Sequence, residues 1–309
     1  MAKYVFGVDI GGTTVKMGLL KDDGTIVEKW EIPTRKANGG EAILPDVADK
    51  VAEKISQWKL SKDDVLGVGV GVPGPVDAGG VIHCAVNLGW GDFNVANKLS
   101  ELTGLKCKAG NDANVAALGE MWKGGGRGYR NMVMVTLGTG VGGGIIVDGK
   151  ILAGATGAGG EIGHIHLNDL EEKVCGCGNK GCLEQYASAT GVSYIASRMQ
   201  KTWKGETVLK NDLSAKAVFD GVKAGDALCK EIAKEFGDYL GKGLAIIAST
   251  VNPEAFVIGG GVSKAGEVIF EYVRPSFERC VFSGAKDCKL ALATLGNDAG
   301  MFGAAKLVM

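Results

Sequence analysis

The stretch YVFGVDIGGTTVKMGLL, residues 4–20, decides the fold. Tyr4 to Ile10 is rich in β-branched and aromatic residues and predicts a strand. Gly11, Gly12, Thr13 and Thr14 predict a turn, and Val15 to Leu20 a second strand. A further turn at Lys21 to Gly24 and a strand over Thr25 to Ile32 complete a meander. Glycines that join two strands offer consecutive backbone N–H groups to an anion, since such groups form a concavity of positive potential.

The same grammar returns further on. Met132 to Leu137 predicts a strand, Gly138 to Gly144 a glycine turn, Ile145 to Val147 a strand and Asp148-Gly149 a tight turn, with Ile151 starting the return. Gly138, Gly140 and Gly143 satisfy the G-x-G-x-x-G spacing of dinucleotide sites, but there the glycines open a helix. Here a strand and hairpin follow, which argues against that reading. Two glycine hairpins can instead grip a triphosphate from both sides. Ordinary hairpin turns are the bland alternative, and hairpins seldom need so many glycines. Gly11, Gly12, Thr13 and Thr14, with Lys16 beyond them, and Gly138, Thr139, Gly140 and Gly142 are therefore candidate nucleotide contacts. Asp9, just before the first turn, is placed to orient Mg²⁺ through water, because that ion takes a few carboxylate oxygens together with phosphates.

Between and after these segments the pattern is mixed α/β. Ile43, Leu44, Val47, Val51, Ile55 and Trp58 mark a helix, and Leu66 to Val72 a short buried strand ending at Pro73. A helix over about Asn94 to Leu102 stops at Gly104, a strand follows at Lys106 to Ala109, and Asn111-Asp112 heads a helix from Ala113 to Trp122. Leu228 to Ile247 carries a long helical stripe that ends before Asn252-Pro253. Ala255 to Ile258 predicts a buried strand, then Gly259, Gly260 and Gly261, a helix from about Lys264, a strand over Lys289 to Leu295 and a last helix over Asp298 to Val308.

Composition narrows the function. The 309 residues suffice for two lobes, a natural setting for a cleft. Lys and Arg total 34 against 35 Asp and Glu, so no basic excess exists to neutralise a nucleic acid or an anionic membrane. The first apolar run is too short for a signal peptide, and no stretch approaches the roughly 20 apolar residues of a membrane span. A cytoplasmic protein with neither nucleic acid nor membrane as partner is expected.

The segments Asp9 to Thr14, Gly138 to Gly144 and Gly259-Gly260-Gly261, with Val262, resemble the two phosphate segments and the adenosine segment of the actin, hexokinase and Hsp70 superfamily. More narrowly, the chain resembles the ROK family (repressors, open reading frames and sugar kinases) from end to end. The resemblance implies an α/β fold of two ribonuclease-H-like lobes, with ATP and a sugar meeting in the cleft, and a homodimer or dimer-based oligomer. It implies a small lobe over 1–110, completed by a C-terminal helix at 297–309. A large lobe over 111–296 is expected to hold the second phosphate loop, the cysteine motif and the adenosine loop.

Cys175, Cys177 and Cys182 fall within eight residues among glycines that permit sharp backbone turns. Three thiolates and one imidazole suit a tetrahedral Zn²⁺, and C-x-C is not the C-x-x-C of redox enzymes. Either of two of the three histidines, His164 or His166, can be the fourth ligand. The ROK pattern selects His164, which closes Gly160-Glu161-Ile162-Gly163-His164 and in that family also faces the sugar. The segment from His164 to Cys175 is one residue longer than the family pattern, which keeps His166 in play. With no open position, the zinc is expected to be structural.

Phosphoryl transfer asks a protein to position an acceptor hydroxyl, take its proton and neutralise charge on the phosphoryl oxygens. Asp112 is the candidate base. As a sequence feature it is equally a helix cap, and the resemblance places the family's catalytic aspartate at this Asn-Asp pair. Asn111, Glu161, His164 and Glu184 match the family's sugar contacts. Gly74 and Asn87 are further candidates that also read as turn residues, and Glu120 is compatible with a solvated carboxylate. Cys175 to Ala189 resembles the form found in bacterial glucokinases, which implies glucose, giving glucose 6-phosphate; fructose, N-acetylmannosamine, N-acetylglucosamine and allose are the alternative acceptors. Two non-catalytic readings compete. A sugar-sensing repressor needs a DNA-binding domain ahead of Asp9, where eight residues leave no room for one; a filament-forming actin relative does not explain the cysteine cluster or the acids.

Overall fold

A computed structural model describes residues 3–309. The chain divides into two compact units: the residues up to Arg130 with Gly144–Gly160 and Leu295–Met309, and Asn131–Gly143 with Glu161–Thr294. The division anticipated at 110 thus falls later, because the Asp112–Lys123 helix is held in the first unit by glycines that let Ala299–Val308 come close.

The first unit is built on strands β1 (Tyr4–Ile10), β2 (Thr14–Lys21), β3 (Ile26–Pro33), β4 (Val65–Val72), a short β5 (Val81–Ile82) and β6 (Phe93–Asn94) ladder, and β7 (Cys107–Asn111). The main sheet runs β3-β2-β1-β4-β7, with β1 to β3 antiparallel and β1, β4 and β7 parallel. Both faces are covered. Phe6, Val8 and Ile10 pack with Ile43, Val47 and Val51 of the Ile43–Gln57 helix, while Val5 and Leu20 meet Met301, Phe302 and Ala305 of the Ala299–Val308 helix. That second helix lies almost on the sheet backbone: a Cβ added at Gly69 would stand 1.7 Å from the Ala304 carbonyl oxygen, and one at Gly7 2.1 Å from that of Met301.

The second sheet has the order β10-β9-β8-β11-β12, from β8 (Met132–Leu137), β9 (Val141–Val147), β10 (Lys150–Ile151), β11 (Ala255–Gly259) and β12 (Lys289–Leu292). β11 is parallel to both β8 and β12. The two sheets share one plan, a meander followed by two parallel strands, as the ribonuclease-H-like reading requires. In the second unit the 25-residue helix Ala227–Val251 carries the core, with Phe236, Leu240 and Leu244 fully buried. Asn252 ends it in the left-handed conformation at φ 44°.

Several boundaries differ from expectation. Gly142 to Gly144 are strand rather than turn, because β9 already begins at Val141, whose side chain is buried. Asp148 and Gly149, at φ 51° and 77°, form the expected tight turn. After β11 the chain makes only a 3₁₀ turn at Val262–Ala265; Gly266, at φ 85°, breaks it, and the helix starts at Val268. β12 ends at Leu292, short of Leu295. Helices at Ala189–Gln200 and Ala215–Lys223 complete the second unit.

Candidate active site

Parallel strands deliver their carboxyl ends to one side of a sheet, where ligands of open α/β sheets bind. In the first unit β1, β4 and β7 bring the Asp9 to Thr14 turn, the Gly74 loop and the Asn111-Asp112 pair to the same edge, with Asp9 opposite Gly71 and Val72 opposite Asn111. The first turn is pinned: the Gly11 N–H donates to the Thr14 carbonyl at 3.0 Å, and the buried Thr34 hydroxyl donates to the Gly11 carbonyl at 2.7 Å. Thr13 is exposed, Lys16 pairs with Asp9 across β1 and β2, and a Cβ on Gly12 would meet nothing within 4 Å. Gly12 also lacks a left-handed φ, so neither conformation nor neighbours inside the protein require a glycine there.

Asp9 sits against the first turn of the Ala299–Val308 helix, where a Cβ on Gly300 would be 2.5 Å from its carboxylate. Burial, reinforced by the charge of Asp112 and opposed by Lys16, raises its pKa from 3.8 to about 6. The two acids therefore share one electrostatic site.

Asn111, not Asp112, caps the helix that follows: its side-chain oxygen accepts from the Ala113 and Asn114 N–H groups at 3.0 and 3.1 Å. Its amide nitrogen donates to the Gly74 carbonyl at 3.1 Å and to Oδ1 of Asp112 at 3.0 Å. Oδ1 of Asp112 also accepts the Ala113 N–H at 2.9 Å. Gly74 is obligatory as glycine, with φ 105° and the Cys84 carbonyl oxygen 2.2 Å from where a Cβ would stand. Asn87 is exposed in the 3₁₀ turn Val86–Leu88. Glu120 is not solvated: it is fully buried, and its two oxygens accept the Leu295 and Gly125 N–H groups at 2.9 and 2.8 Å.

The second unit brings together Glu161, His164, Glu184 and the cysteine motif. Nδ1 of His164 lies 3.7 Å from Sγ of Cys175 and 3.9 Å from Oε1 of Glu184, while its Nε2 lies 3.9 Å from Oε2 of Glu161. Sγ of Cys177 is 3.7 Å from Sγ of Cys182, and one ligand atom from each of His164, Cys175, Cys177 and Cys182 falls within 4.8 Å of all the others. Zn–S bonds of ~2.3 Å in a tetrahedron give S···S separations of ~3.8 Å, so the donor set fits such an ion. The protonation chemistry agrees. Burial pushes Cys175 up to about 12 and raises Cys182, whereas the Asn179 N–H lowers Cys177, so only a bound cation could hold all three as thiolates. His166 stands apart, its ring nitrogens 2.8 Å from the Lys180 carbonyl oxygen and 2.7 Å from Oδ1 of Asp169.

Glu184 links this cluster to the second glycine loop. Its Oε1 takes the Cys175 thiol at 2.9 Å, its Oε2 faces the Val141 N–H at 3.4 Å, and a Cβ on Gly140 would be 2.5 Å from that oxygen. The loop turns through a Gly138 N–H to Gly140 carbonyl bond of 3.0 Å, and Gly138, like Gly12, opens onto space. Thr139 and Gly140 border a cavity of about 260 Å³ with Glu184. Gly142 lies in β9.

The third glycine segment follows β11, beside β8. Gly260 has φ 86°, and a Cβ there would stand 2.5 Å from the Leu137 carbonyl oxygen. Gly261 and Val262 line a cavity of about 170 Å³ whose other wall is Ala215, Phe219 and Asp220 of the Ala215–Lys223 helix. That wall escapes the sequence reading, although Ser214, which accepts from the Ala217 N–H as N-cap, and the Val218, Phe219, Val222 spacing are signals for the helix. Thr34, which fixes the first loop, carries no pattern that marks it.

Comparison with known proteins places this geometry. The family model described as "ROK family" matches residues 5–309. A glucokinase from Halalkalibacterium halodurans is 45% identical, the match covering 99% of this chain and 95% of that one. A ROK family glucokinase from Streptomyces griseus, solved in complex with glucose and AMPPNP, is 33% identical with a TM-score of 0.73 and 98% coverage of both chains. A ROK hexokinase from Thermus thermophilus is 32% identical with a TM-score of 0.81, covering 99% of this chain and 97% of that one.

Proposed function

Because the chain belongs to the ROK family, we propose that it transfers the terminal phosphoryl group of ATP to a hydroxyl of glucose, giving glucose 6-phosphate. The observation that carries this reading is likeness along nearly the whole chain to a glucokinase.

In this reading Asp112 is the general base. The acceptor oxygen attacks the terminal phosphorus, the bond from that phosphorus to the bridging oxygen of ADP breaks, and the hydroxyl proton passes to the Asp112 carboxylate. Two N–H donors, from Asn111 and Ala113, fix the carboxylate's orientation, and fixed geometry is most of what such a loose transition state asks of a protein. Asn111 spends its amide on the helix cap, Gly74 and Asp112, which supports a positioning role beside the sugar contact expected of it. Glu161, His164 and Glu184 accept from and donate to the remaining sugar hydroxyls, with Gly74 and Asn87 as outer contacts.

The open glycines Gly12 and Gly138 let phosphate oxygens approach backbone amides, and Gly261-Val262 with Phe219 receives the adenine. Asp9 would hold Mg²⁺, which neutralises phosphate charge when bound. Zn²⁺ would sit on His164, Cys175, Cys177 and Cys182 as a closed structural centre. Its consequence for the chain is that the His164 ring, whose Nε2 faces Glu161, is held still.

Among the described residues no helix is long and apolar enough to cross a membrane. A cytoplasmic homodimer, or an oligomer built from dimers, completes the proposal on the strength of the family resemblance. ATP consumption with Mg²⁺ against a panel of hexoses and N-acetylhexosamines tests it. Preference for glucose is the expected result. Preference for another hexose, the second reading that the likeness to a ROK hexokinase favours, keeps the chemistry and replaces the substrate; no turnover with any sugar overturns the kinase.

A further inference from the structure

Two carbonyls of the first glycine loop are held from outside the loop by a single residue. Thr34, buried just beyond β3, gives its hydroxyl to the Gly11 carbonyl at 2.7 Å and its backbone N–H to the Thr13 carbonyl at 2.9 Å. Its neighbours in the chain keep it in place. Pro33, with its fixed φ, lies opposite Thr14 across β2 and β3, and Arg35 donates through Nε to Oδ2 of Asp46, on the Ile43–Gln57 helix, at 2.7 Å.

A trans peptide sets its C=O and the following N–H on opposite sides of the chain, and no peptide bond among the described residues is cis. With the Gly11 carbonyl turned to Thr34, the Gly12 N–H therefore points away from Thr34. Neither that N–H nor the Thr13 N–H has a hydrogen-bond partner among the described residues, and the space beside Gly12 is open. Consecutive N–H groups in this state suit an anionic oxygen. The second glycine loop uses a backbone donor to the same end: the Ala189 N–H donates to the Gly138 carbonyl at 2.8 Å, which turns the Thr139 N–H the other way. In the first loop the carbonyl is held by a side chain, so there the arrangement can be altered by substitution.

We propose that Thr34 is the positioning residue of the first phosphate loop: by holding the Gly11 and Thr13 carbonyls it presents the Gly12 N–H to a phosphate oxygen of the nucleotide. It acts through the loop, and so governs affinity for the nucleotide and not for the sugar. The inference rests on the nucleotide reading of this loop.

Calorimetry of AMPPNP binding to the full chain with Mg²⁺, and separately of glucose binding, tests it in the parent, Thr34→Val and Thr34→Ser. Valine keeps the shape and removes the hydroxyl, whereas serine keeps the hydroxyl. Thr34→Val is expected to bind AMPPNP about fivefold or more weakly, the worth of about one hydrogen bond, with parental glucose affinity, and Thr34→Ser to bind it within about twofold of the parent. Hydrogen exchange at the Gly12 N–H should slow when AMPPNP binds the parent. A threonine with a structural role alone would lower the thermal midpoint of Thr34→Val and leave its AMPPNP affinity unchanged; that result, or exchange at Gly12 that AMPPNP does not slow, overturns the proposal. A parent that binds no AMPPNP overturns the nucleotide reading and this proposal together, whereas equal binding with and without the hydroxyl overturns this proposal alone.

Discussion

The thiol of Cys175 donates to Oε1 of Glu184 across 2.9 Å, so a cluster whose donors fit a metal and an acid proposed to bind the sugar are in direct contact. Removing the metal should therefore be felt as lost sugar affinity. Cys177→Ser is expected to lose bound zinc and to raise glucose KM by about tenfold or more, with a smaller effect on ATP KM. Metal content by atomic emission, read alongside the two KM values, checks it. A metal-free variant with parental glucose KM would remove the cluster from sugar binding.

Asp112→Asn keeps the shape of the side chain and removes its capacity to take a proton. We expect kcat to fall by about 10² to 10⁴ while glucose affinity, measured by calorimetry, stays within about tenfold. Full residual turnover would exclude Asp112 as the base.

Asp9 yields a prediction in pH. Its pKa rises from 3.8 to about 6 on folding, so the folded state holds the proton more tightly. The stability this group contributes is present below pH 3.8 and is lost as pH rises through 6. Asp9→Asn should match the parent near pH 4 and exceed it above pH 7 by up to about 3 kcal/mol, while losing Mg²⁺-dependent turnover. Denaturation midpoints at the two pH values decide the matter; a variant less stable at pH 8 contradicts it.

Gly12→Ala separates folding from phosphate binding. The new methyl meets nothing within 4 Å and the backbone is not left-handed, so the thermal midpoint should hardly move. If phosphate oxygens occupy that space, ATP KM should rise by about tenfold, since close backbone approach is what glycine provides there. An unchanged ATP KM would assign the loop to structure alone.

Much of this was legible before any coordinates. Tyr4 to Ile10 and Met132 to Leu137 are strands with the predicted bounds, because runs of β-branched residues closed by glycine leave few alternatives. Cys175, Cys177 and Cys182 could be grouped by spacing, but that the His164 ring lies beside them while His166 faces Lys180 needed the ring positions. The cap on Asn111 and the burial of Glu120 were hidden for the same reason: Asn and Asp, or an exposed and a buried Glu, carry identical local signals. The Gly142–Gly144 strand was misread as turn because glycine pattern alone cannot distinguish a turn from an extended segment that others approach closely. Phe219 and Thr34 act on loops distant in sequence, and nothing near them names those loops.

The helix Ala299–Val308 that nestles on Gly7 and Gly69 has a temporal side. During synthesis, strands made before residue 112 leave one sheet face only partly covered, by the Asp112–Lys123 helix, until residues near 300 emerge, and most of the second unit is translated in the interval. A sheet waiting that long for its cover is the stage at which nascent chains meet chaperones or each other, so yield in the cell should depend on translation speed more steeply than the finished protein's stability would suggest.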